Sequence, residues 1–344
     1  MEETGKINHE VEFLMLKISG LLTEQCKLGF EYSLMLSGGV GEGTKVGLPD
    51  EYDYLLMVNG LGDQLTPEIA DDSKPGYVKL RFSELNSINY QLSTDGYFDS
   101  IKFTSHFYEL VCSVLHSLDT EKVGFYLFPN EGYFDYGYEN DERLKKSANF
   151  LITLEYPSRN YGTIDITIDL VPVLKLKPGW WPIHSSNPTE FNEHLCATLT
   201  KPAGITKGEN LQLRISTSLI ELSVIKSVSN TIKSAYIASK ILKNIFHCTI
   251  NGINYQASLY LNTYLIKNAL MKYAIETMND EPNTEKDVIE TTIAILSNVS
   301  VNSFFFPGMN IERPCEFFEG DEDAGNKYYR NIIINNLIEF LKRS

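Results

Sequence analysis

The sequence predicts an α+β fold with two lobes, a mixed β-sheet lobe followed by a helical lobe. β-Prone runs are concentrated before residue 172, and apolar residues at helical spacing dominate after residue 211. The composition changes around the tryptophan-containing segment 178–182, and the sequence contains neither internal repeats nor low-complexity linkers. We therefore place the first lobe at residues 1–185 and the second at residues 186–344.

The elements follow from the spacing of apolar residues. In residues 6–24, Val11, Leu14, Ile18 and Leu22 recur at helical spacing, which predicts an amphipathic helix. Segments of β-prone composition predict strands at 52–59, 76–82, 150–156 and 163–171. Further helices are predicted at 101–120, 211–246, 254–276, 286–298 and 328–343. An aromatic-rich stretch at 124–146 is expected to be a long loop or an insertion.

The bulk composition is that of a soluble globular protein. Hydrophobic residues make up 43% and charged residues 22% of the chain. No apolar run reaches the ~20 residues that a membrane helix requires. The first residues, Met-Glu-Glu-Thr-Gly, lack the apolar segment of a secretory signal. A cytoplasmic location is the resulting expectation.

The cysteines are typical of a reducing compartment. All 5 occur singly, without a Cys-x-x-Cys pair, so we expect them to act as small core residues. His247 and Cys248 are adjacent, but no second pair of ligands stands at zinc spacing. The sequence therefore predicts no structural zinc.

The formal net charge of −15 argues against a general nucleic-acid-binding surface, because the phosphate backbone would be repelled. The charge is uneven, since residues 201–245 hold only Glu209 and Glu221 as acids. Their basic residues are Lys201, Lys207, Arg214, Lys226, Lys233, Lys240 and Lys243. This excess suits either a phosphate-bearing ligand or a solvated helix face.

A set of carboxylates carries the chemistry that the sequence suggests. Glu51 and Asp53 are separated by one residue, and this spacing in a strand places both side chains on one face. Paired carboxylates repel unless a cation intervenes, and Mg²⁺ or Mn²⁺ prefers such oxygen ligands. A third acid would complete a two-metal site, and Asp165 and Asp169 are equally good candidates by pattern. The glycine-rich turn at 37–47, Ser-Gly-Gly-Val-Gly-Glu-Gly-Thr-Lys-Val-Gly, has backbone N–H groups suited to a triphosphate.

The motifs resemble one known family. The run at 38–53 reads Gly-Gly-Val-Gly-Glu-Gly-Thr-Lys-Val-Gly-Leu-Pro-Asp-Glu-Tyr-Asp. It is similar to the Gly-Ser turn, Glu-Gly-x-Lys and Pro-x-Glu-Phe-Asp motifs of the Mab-21 family, which includes the cyclic GMP–AMP synthase-like receptors. Further segments that resemble the family lie, in order, at 148–156, 168–174, 181–182, 213–221, 263–267 and 304–311.

The resemblance implies a bilobal nucleotidyltransferase fold with its active site in the cleft between the lobes. It selects Asp169 as the third acid, so that Glu51, Asp53 and Asp169 become both the catalytic residues and the metal ligands. It implies Mg²⁺ or Mn²⁺ as cofactor and ATP and/or GTP as substrates. The nucleotide-binding residues that it indicates are Ser37, Gly38, Gly39, Arg214, Ser216, Ser218, Lys240, Thr263, Tyr264 and Lys267.

Two departures from the family pattern bear on function. Gly39 stands where the family turn normally ends in a serine that helps to hold the triphosphate, and Ser37 is two residues earlier. The segment between Glu221 and Lys240 has neither histidine nor cysteine, so the zinc insertion with which cyclic GMP–AMP synthase grips DNA is absent. A basic helix stripe of Lys226, Lys233 and Lys243 suits double-stranded RNA or another polyanion as activator, and a solvated helix face is the alternative interpretation.

Three functional hypotheses follow. The first is a nucleic-acid-activated synthase of a cyclic dinucleotide second messenger in innate immune sensing, favoured by the retained acids. The second is a catalytically silent binding module, favoured by Gly39. The third is a linear oligonucleotide synthase similar to the oligoadenylate synthases, against which the segments 213–221 and 263–267 argue.

Overall fold

The structure of the chain is a computed structural model. It describes residues 2–69, 77–118, 126–128, 150–176, 195–202, 208–278, 287–299, 303–306, 311–314 and 324–343. These residues form a large mixed sheet and helices, which confirms the predicted α+β class. The stretch 124–146, apart from a strand at 126–128, and the family-like positions Trp181, Pro182 and 307–310 lie outside the described residues.

The chain divides into two compact units. Unit 1 comprises Met1–Gly43, Gly47–Pro182 and Asn192–Leu219. Unit 2 comprises Thr44–Val46, Ile183–Phe191 and Ile220–Ser344. No helix in the described parts of either unit combines the length and the apolar character needed to cross a membrane.

Unit 1 is built around an 11-stranded sheet. Its strands are β1 (Glu31–Ser37), β2 (Glu51–Asn59), β3 (Leu65–Ile69), β4 (Tyr77–Phe82), β5 (Ser93–Thr94), β6 (Tyr97–Phe98), β7 (Tyr126–Phe128), β8 (Phe150–Ser158), β9 (Gly162–Lys175), β10 (Cys196–Pro202) and β11 (Leu213–Ser216). Its helices are α1 (Glu2–Gln25), α2 (Gly38–Gly41), α3 (Ser87–Gln91) and α4 (Ser100–Ser117). The main path through the sheet is β1-β2-β9-β10-β11-β4-β6-β5, with β3 beside β4 and with β8 joining β7 to β9.

The two long helices of unit 1 cover one face of this sheet. The apolar residues of α1 that predicted the helix are completely buried, as in Val11, Leu14 and Ile18. Tyr52 on β2 donates a hydrogen bond from its hydroxyl to the Asn8 side chain of α1 at 2.6 Å. Because side chains alternate along a strand, the odd-numbered residues of β2 project from the opposite face.

Strands β2 and β9 lie side by side in parallel, whereas β9 is antiparallel to β8 and β10. Even-numbered residues of β9 are buried from Ile164 to Leu174, while odd-numbered ones are exposed or half-buried up to Val171. This is the alternation that predicted a strand with one polar face. The polar face is therefore shared by β2 and β9.

The prediction of one helix over 211–246 is wrong. Residues Leu213–Ser216 form β11, and the helical remainder is divided into α5 (Ser218–Ser227) and α6 (Asn230–Ile245). The physical reason lies in the sequence, because buried and half-buried residues alternate along β11 with a period of two. The Ser229 hydroxyl accepts a hydrogen bond from the backbone N–H of Ile232 and so begins a new helix.

Unit 2 consists mainly of helices. They are α6, α7 (Thr263–Met278), α8 (Val288–Ser297) and α9 (Ala324–Arg343), together with most of α5. Two hairpins accompany them, β12 (His247–Ile250) with β13 (Ile253–Gln256) and β14 (Ser303–Phe306) with β15 (Ile311–Pro314). The predicted helix at 254–276 is thus wrong in its first turns, since β13 precedes α7.

The core of unit 2 joins residues from several of these elements. Leu261, Leu296, Ile333 and Leu337 are completely buried in one cluster. Asp287 immediately precedes α8 and caps it, because its carboxylate accepts a hydrogen bond from the backbone N–H of Glu290 at 2.8 Å. Helices α7 and α8 pack on each other and on α6.

Candidate active site

The sheet of unit 1 brings two of the predicted acids together. Asp53 on β2 and Asp169 on β9 are directly paired in the parallel ladder. Neighbouring strands lie ~4.8 Å apart, and paired residues project from the same face. Both side chains are half-buried, on the face opposite α1. The structure therefore places two carboxylates next to each other at a protected position.

The same register separates the two candidates for the third acid. Glu51, two residues before Asp53, is paired with Thr167 at the first position of β2. Asp165 lies beyond the start of β2 and is paired with Glu155 of β8 instead. Asp165 is also exposed, whereas Asp169 is half-buried. Glu51, Asp53 and Asp169 consequently share one face and one end of the β2–β9 pair.

Two hydroxyl groups hold the backbone that carries these acids. Thr167 donates to the carbonyl oxygen of Asp50 from both its backbone N–H, at 2.8 Å, and its hydroxyl, at 3.1 Å. Ser37 is paired with Asp53 across β1 and β2, and its hydroxyl donates to the Asp53 carbonyl oxygen at 3.3 Å. Ser37 thus supports β2 from one side and Thr167 from the other. Thr167 was not a predicted site residue, although its place between two candidate acids was a signal.

The glycine-rich turn packs directly on the Asp53 side chain. Strand β1 ends at Ser37, and Gly38 then adopts a positive φ of 59° as the chain enters α2. A Cβ atom added at Gly38 would lie 1.7 Å from the Asp53 carboxylate oxygen Oδ2. A Cβ at Gly41 would lie 2.4 Å from the carbonyl oxygen of Leu36. Only glycine fits at these two positions, which explains part of the composition of the turn.

The donor atoms at this end of the sheet suit a hard cation. Glu51, Asp53 and Asp169 offer carboxylate oxygens, which Mg²⁺ and Mn²⁺ prefer, and they project from one face. Within the described ranges, no three histidine, cysteine, aspartate or glutamate side chains already form a cluster that would hold a metal ion. The acids fit a divalent cation by the type of their oxygen atoms and by strand register, although the described side chains do not form a ready-made metal site.

Two further predicted residues, Arg214 and Ser216 of β11, lie on the same face of the sheet as the acids. Cys196 of β10 is paired with Lys175 of β9 on one side and with Ser216 of β11 on the other. Paired residues project alike, so Ser216 and, two residues earlier, Arg214 lie on the face that carries Asp169. The Ser216 hydroxyl accepts a hydrogen bond from the backbone N–H of Ser218 at 3.3 Å.

An apolar cluster lies between the acids and the β11 residues on this face. It is formed by Leu55, Val173, Cys196 and Leu219, with Met57 and Val171 packed against it. The face therefore carries carboxylates at one end, a buried apolar cluster beyond them, and Arg214 and Ser216 on its far side.

The predicted binding residues of unit 2 take part in contacts within that unit. The Lys240 ammonium donates to the carbonyl oxygen of Thr44 at 2.8 Å, and the Lys267 ammonium lies 3.1 Å from the Glu221 carboxylate. Lys243 donates to the hydroxyl of Thr263 at 3.1 Å, and burial lowers the pKa of the Lys243 ammonium. These lysines are held in defined positions.

Tyr264 is also a predicted binding residue of unit 2. It is half-buried in the first turn of α7. Its side chain packs on a small apolar cluster around Leu265, together with Val299.

The predicted basic helix stripe is wrong in its geometry. Lys226 lies on α5 and Lys233 on α6, with Val228 and Ser229 between the two helices. Residues seven positions apart share a stripe only on one continuous helix. Of the predicted set, only Lys233 and Lys243 lie on the same helix.

Comparison with known protein families identifies the region that carries these acids. Residues 40–202 match the family described as the Mab-21 protein nucleotidyltransferase domain. No curated protein matches the chain. The matched residues include Glu51, Asp53 and Asp169, together with strands β2, β8, β9 and β10.

Proposed function

Because residues 40–202 match the Mab-21 nucleotidyltransferase domain family, we propose that this protein transfers nucleotidyl groups between nucleoside triphosphates. The substrates are ATP and/or GTP, and the product is a cyclic dinucleotide. Glu51, Asp53 and Asp169 are the catalytic acids in this proposal. The observation that carries it is the direct pairing of Asp53 with Asp169 on the face that also holds Glu51.

The proposed reaction is an in-line displacement carried out twice. A ribose hydroxyl oxygen of one nucleotide forms a bond to the α-phosphorus of the other and loses its proton, while the bond to pyrophosphate breaks. Repetition between the same two nucleotides closes the ring and releases a second pyrophosphate. A divalent cation, when bound by the three acids, supplies charge stabilisation to the attacking and leaving oxygens. Asp53 and Asp169 orient the reacting groups from adjacent strands.

Other residues of unit 1 complete the proposed site. The Arg214 guanidinium suits the planar acceptors of a base or the oxygens of a phosphate. Ser216 and Ser218, joined by a hydrogen bond, offer hydroxyls on the same side. Gly38 allows the glycine-rich turn to approach the Asp53 carboxylate, so that the N–H groups of the turn lie close to the acids.

The regulation that we propose is activation by double-stranded RNA or another polyanion, with the product acting as an innate immune second messenger in the cytoplasm. The uneven charge supports it, because residues 201–245 are basic in a chain of net charge −15.

A second function, a catalytically silent binding module, is favoured by two observations. Gly39 replaces the serine that the family uses to hold a triphosphate. Ser37 does not replace it freely, since it is buried and its hydroxyl donates to the Asp53 carbonyl oxygen. In addition, Lys267 is already paired with Glu221.

A product assay distinguishes the two functions. Purified protein is incubated with four radiolabelled nucleoside triphosphates and Mg²⁺ or Mn²⁺, with and without double-stranded RNA or DNA, and then treated with phosphatase. We expect a phosphatase-resistant product that disappears with EDTA and in Asp53→Asn. If wild-type protein forms no product with any metal or nucleic acid, the silent module is correct.

A substitution at Gly38 tests whether the glycine-rich turn must pack against the Asp53 carboxylate. Gly38→Ala is expected to lower product formation by about a hundredfold, because the new methyl group must displace the Asp53 carboxylate. Gly29→Ala is the matched control, since Gly29 also has a positive φ but no atom within 4 Å of an added Cβ. Both variants should lose about 1 kcal/mol of stability. Equal activity in the two variants would contradict the proposed contact.

A further inference from the structure

Part of the glycine-rich turn packs in unit 2. Thr44–Val46 belongs to unit 2, although the residues before and after it belong to unit 1. It is bounded by Gly43 and Gly47, which have positive φ values of 69° and 92°. Thr44 is completely buried. The turn is therefore held at one buried residue, Thr44, between two glycines that let the chain change direction.

Lys240 of α6 is the side chain that reaches this segment. Its ammonium donates to the carbonyl oxygen of Thr44 at 2.8 Å and lies 5.1 Å from the centre of the Tyr236 ring. Only 9% of Lys240 is exposed, and Tyr236 and Ser239 beside it are completely buried. A buried ammonium is costly unless polar groups and an aromatic face compensate for lost water. Both kinds of compensation are present here.

We infer that Lys240 is a positioning residue that holds Thr44–Val46 and, through the chain, the rest of the glycine-rich turn. Family resemblance alone assigns this lysine to the triphosphate. A lysine that only binds phosphate has no effect on the segment in nucleotide-free protein. A lysine that holds the Thr44 carbonyl oxygen protects the segment before any nucleotide arrives.

Hydrogen exchange of the nucleotide-free full chain tests this inference without depending on the proposed function. In Lys240→Met we expect the amides of residues 43–47 to exchange about ten to a hundred times faster, because the charged hydrogen bond is lost. Lys240→Arg, which keeps a cationic donor, should restore most of the protection. Lys243→Met is the matched control on α6, since its ammonium contacts Thr263 instead, and it should leave residues 43–47 unchanged.

Exchange in α8 reports whether each variant is folded, and Lys240→Gln provides a polar alternative if the methionine variant is not. Unchanged protection of residues 43–47 in folded Lys240→Met or Lys240→Gln would overturn the inference. Loss of α8 protection in both variants would also overturn it, because Lys240 would then serve general stability.

A kinetic measurement adds a second readout that rests on the proposed function. A positioning role predicts that Lys240→Met lowers kcat, with KM for nucleotide changed by less than about threefold. A rise in KM with normal segment protection would instead identify a phosphate ligand. If no variant and no wild-type protein forms product, the proposed function fails, and the exchange experiment alone decides the role of Lys240.

Discussion

Asp169→Asn is expected to lower product formation by about a thousandfold or more, with little change in folding. The substitution preserves the shape of the side chain and the pairing of Asp169 with Asp53, but it removes one negative charge from the shared face. Asp169 would help to hold the divalent cation that stabilises negative charge on the attacking and leaving oxygens, so its loss would act mainly on the transition state. The measurement is kcat/KM for the phosphatase-resistant product at saturating Mg²⁺.

Asp165→Asn is the matched control for this variant. Asp165 lies on the same strand and projects from the same face, but it is exposed and paired with Glu155 of β8. We expect its activity to stay within about threefold of wild type, as is usual for an exposed residue outside the site. If Asp165→Asn loses activity while Asp169→Asn keeps it, the third acid has been assigned to the wrong residue.

Lys267→Met is expected to cause the largest loss of stability, about 3–5 kcal/mol, by removing one partner of a buried ion pair. The Lys267 ammonium lies 3.1 Å from the Glu221 carboxylate, and the two side chains are 16% and 7% exposed. Without the ammonium, the Glu221 carboxylate loses a positively charged neighbour at a position where its side chain is only 7% exposed. Urea denaturation, followed by the unfolding midpoint and slope, measures the loss.

Two control variants test whether the stability loss in Lys267→Met comes from leaving a buried charge without Lys267. The double variant Glu221→Met with Lys267→Met should recover most of the lost stability, because no charge remains buried. Lys342→Met breaks a pair of similar length, 2.9 Å from Lys342 to Glu339, but both side chains are more than half exposed. It should cost less than about 1 kcal/mol. A loss of that small size in Lys267→Met would show that the Glu221–Lys267 pair is not held in a low-dielectric environment.

The sequence indicated the local structure well wherever one element buries one face. The apolar spacing of α1 and the polar alternation of β9 predicted these elements correctly, because each period reflects a single buried side. Prediction was wrong where short strands stand next to helices. The four residues of β11 were merged into a helix, since so short an alternation carries little periodic signal. Strands β1 and β10 were not predicted.

The candidate site shows the same limit. Pattern alone left Asp165 and Asp169 as equal candidates, because both lie on one face of a strand with Thr167 between them. The choice depends on where β2 begins beside β9, which is a matter of register between segments more than a hundred residues apart. The positioning contacts of Ser37 and Thr167 with the backbone of β2 have the same origin.

By itself, the sequence determined the α+β class, the strand that carries Glu51 and Asp53, and the motifs that resemble the Mab-21 family. Only the tertiary structure decided that Asp169 lies beside Asp53, that Gly38 must lack a side chain, and that Lys240 contacts Thr44. The physical reason is that composition and periodicity report which side of an element is buried. They do not report which distant atoms meet there, because strand register and side-chain packing are settled between segments far apart in the chain.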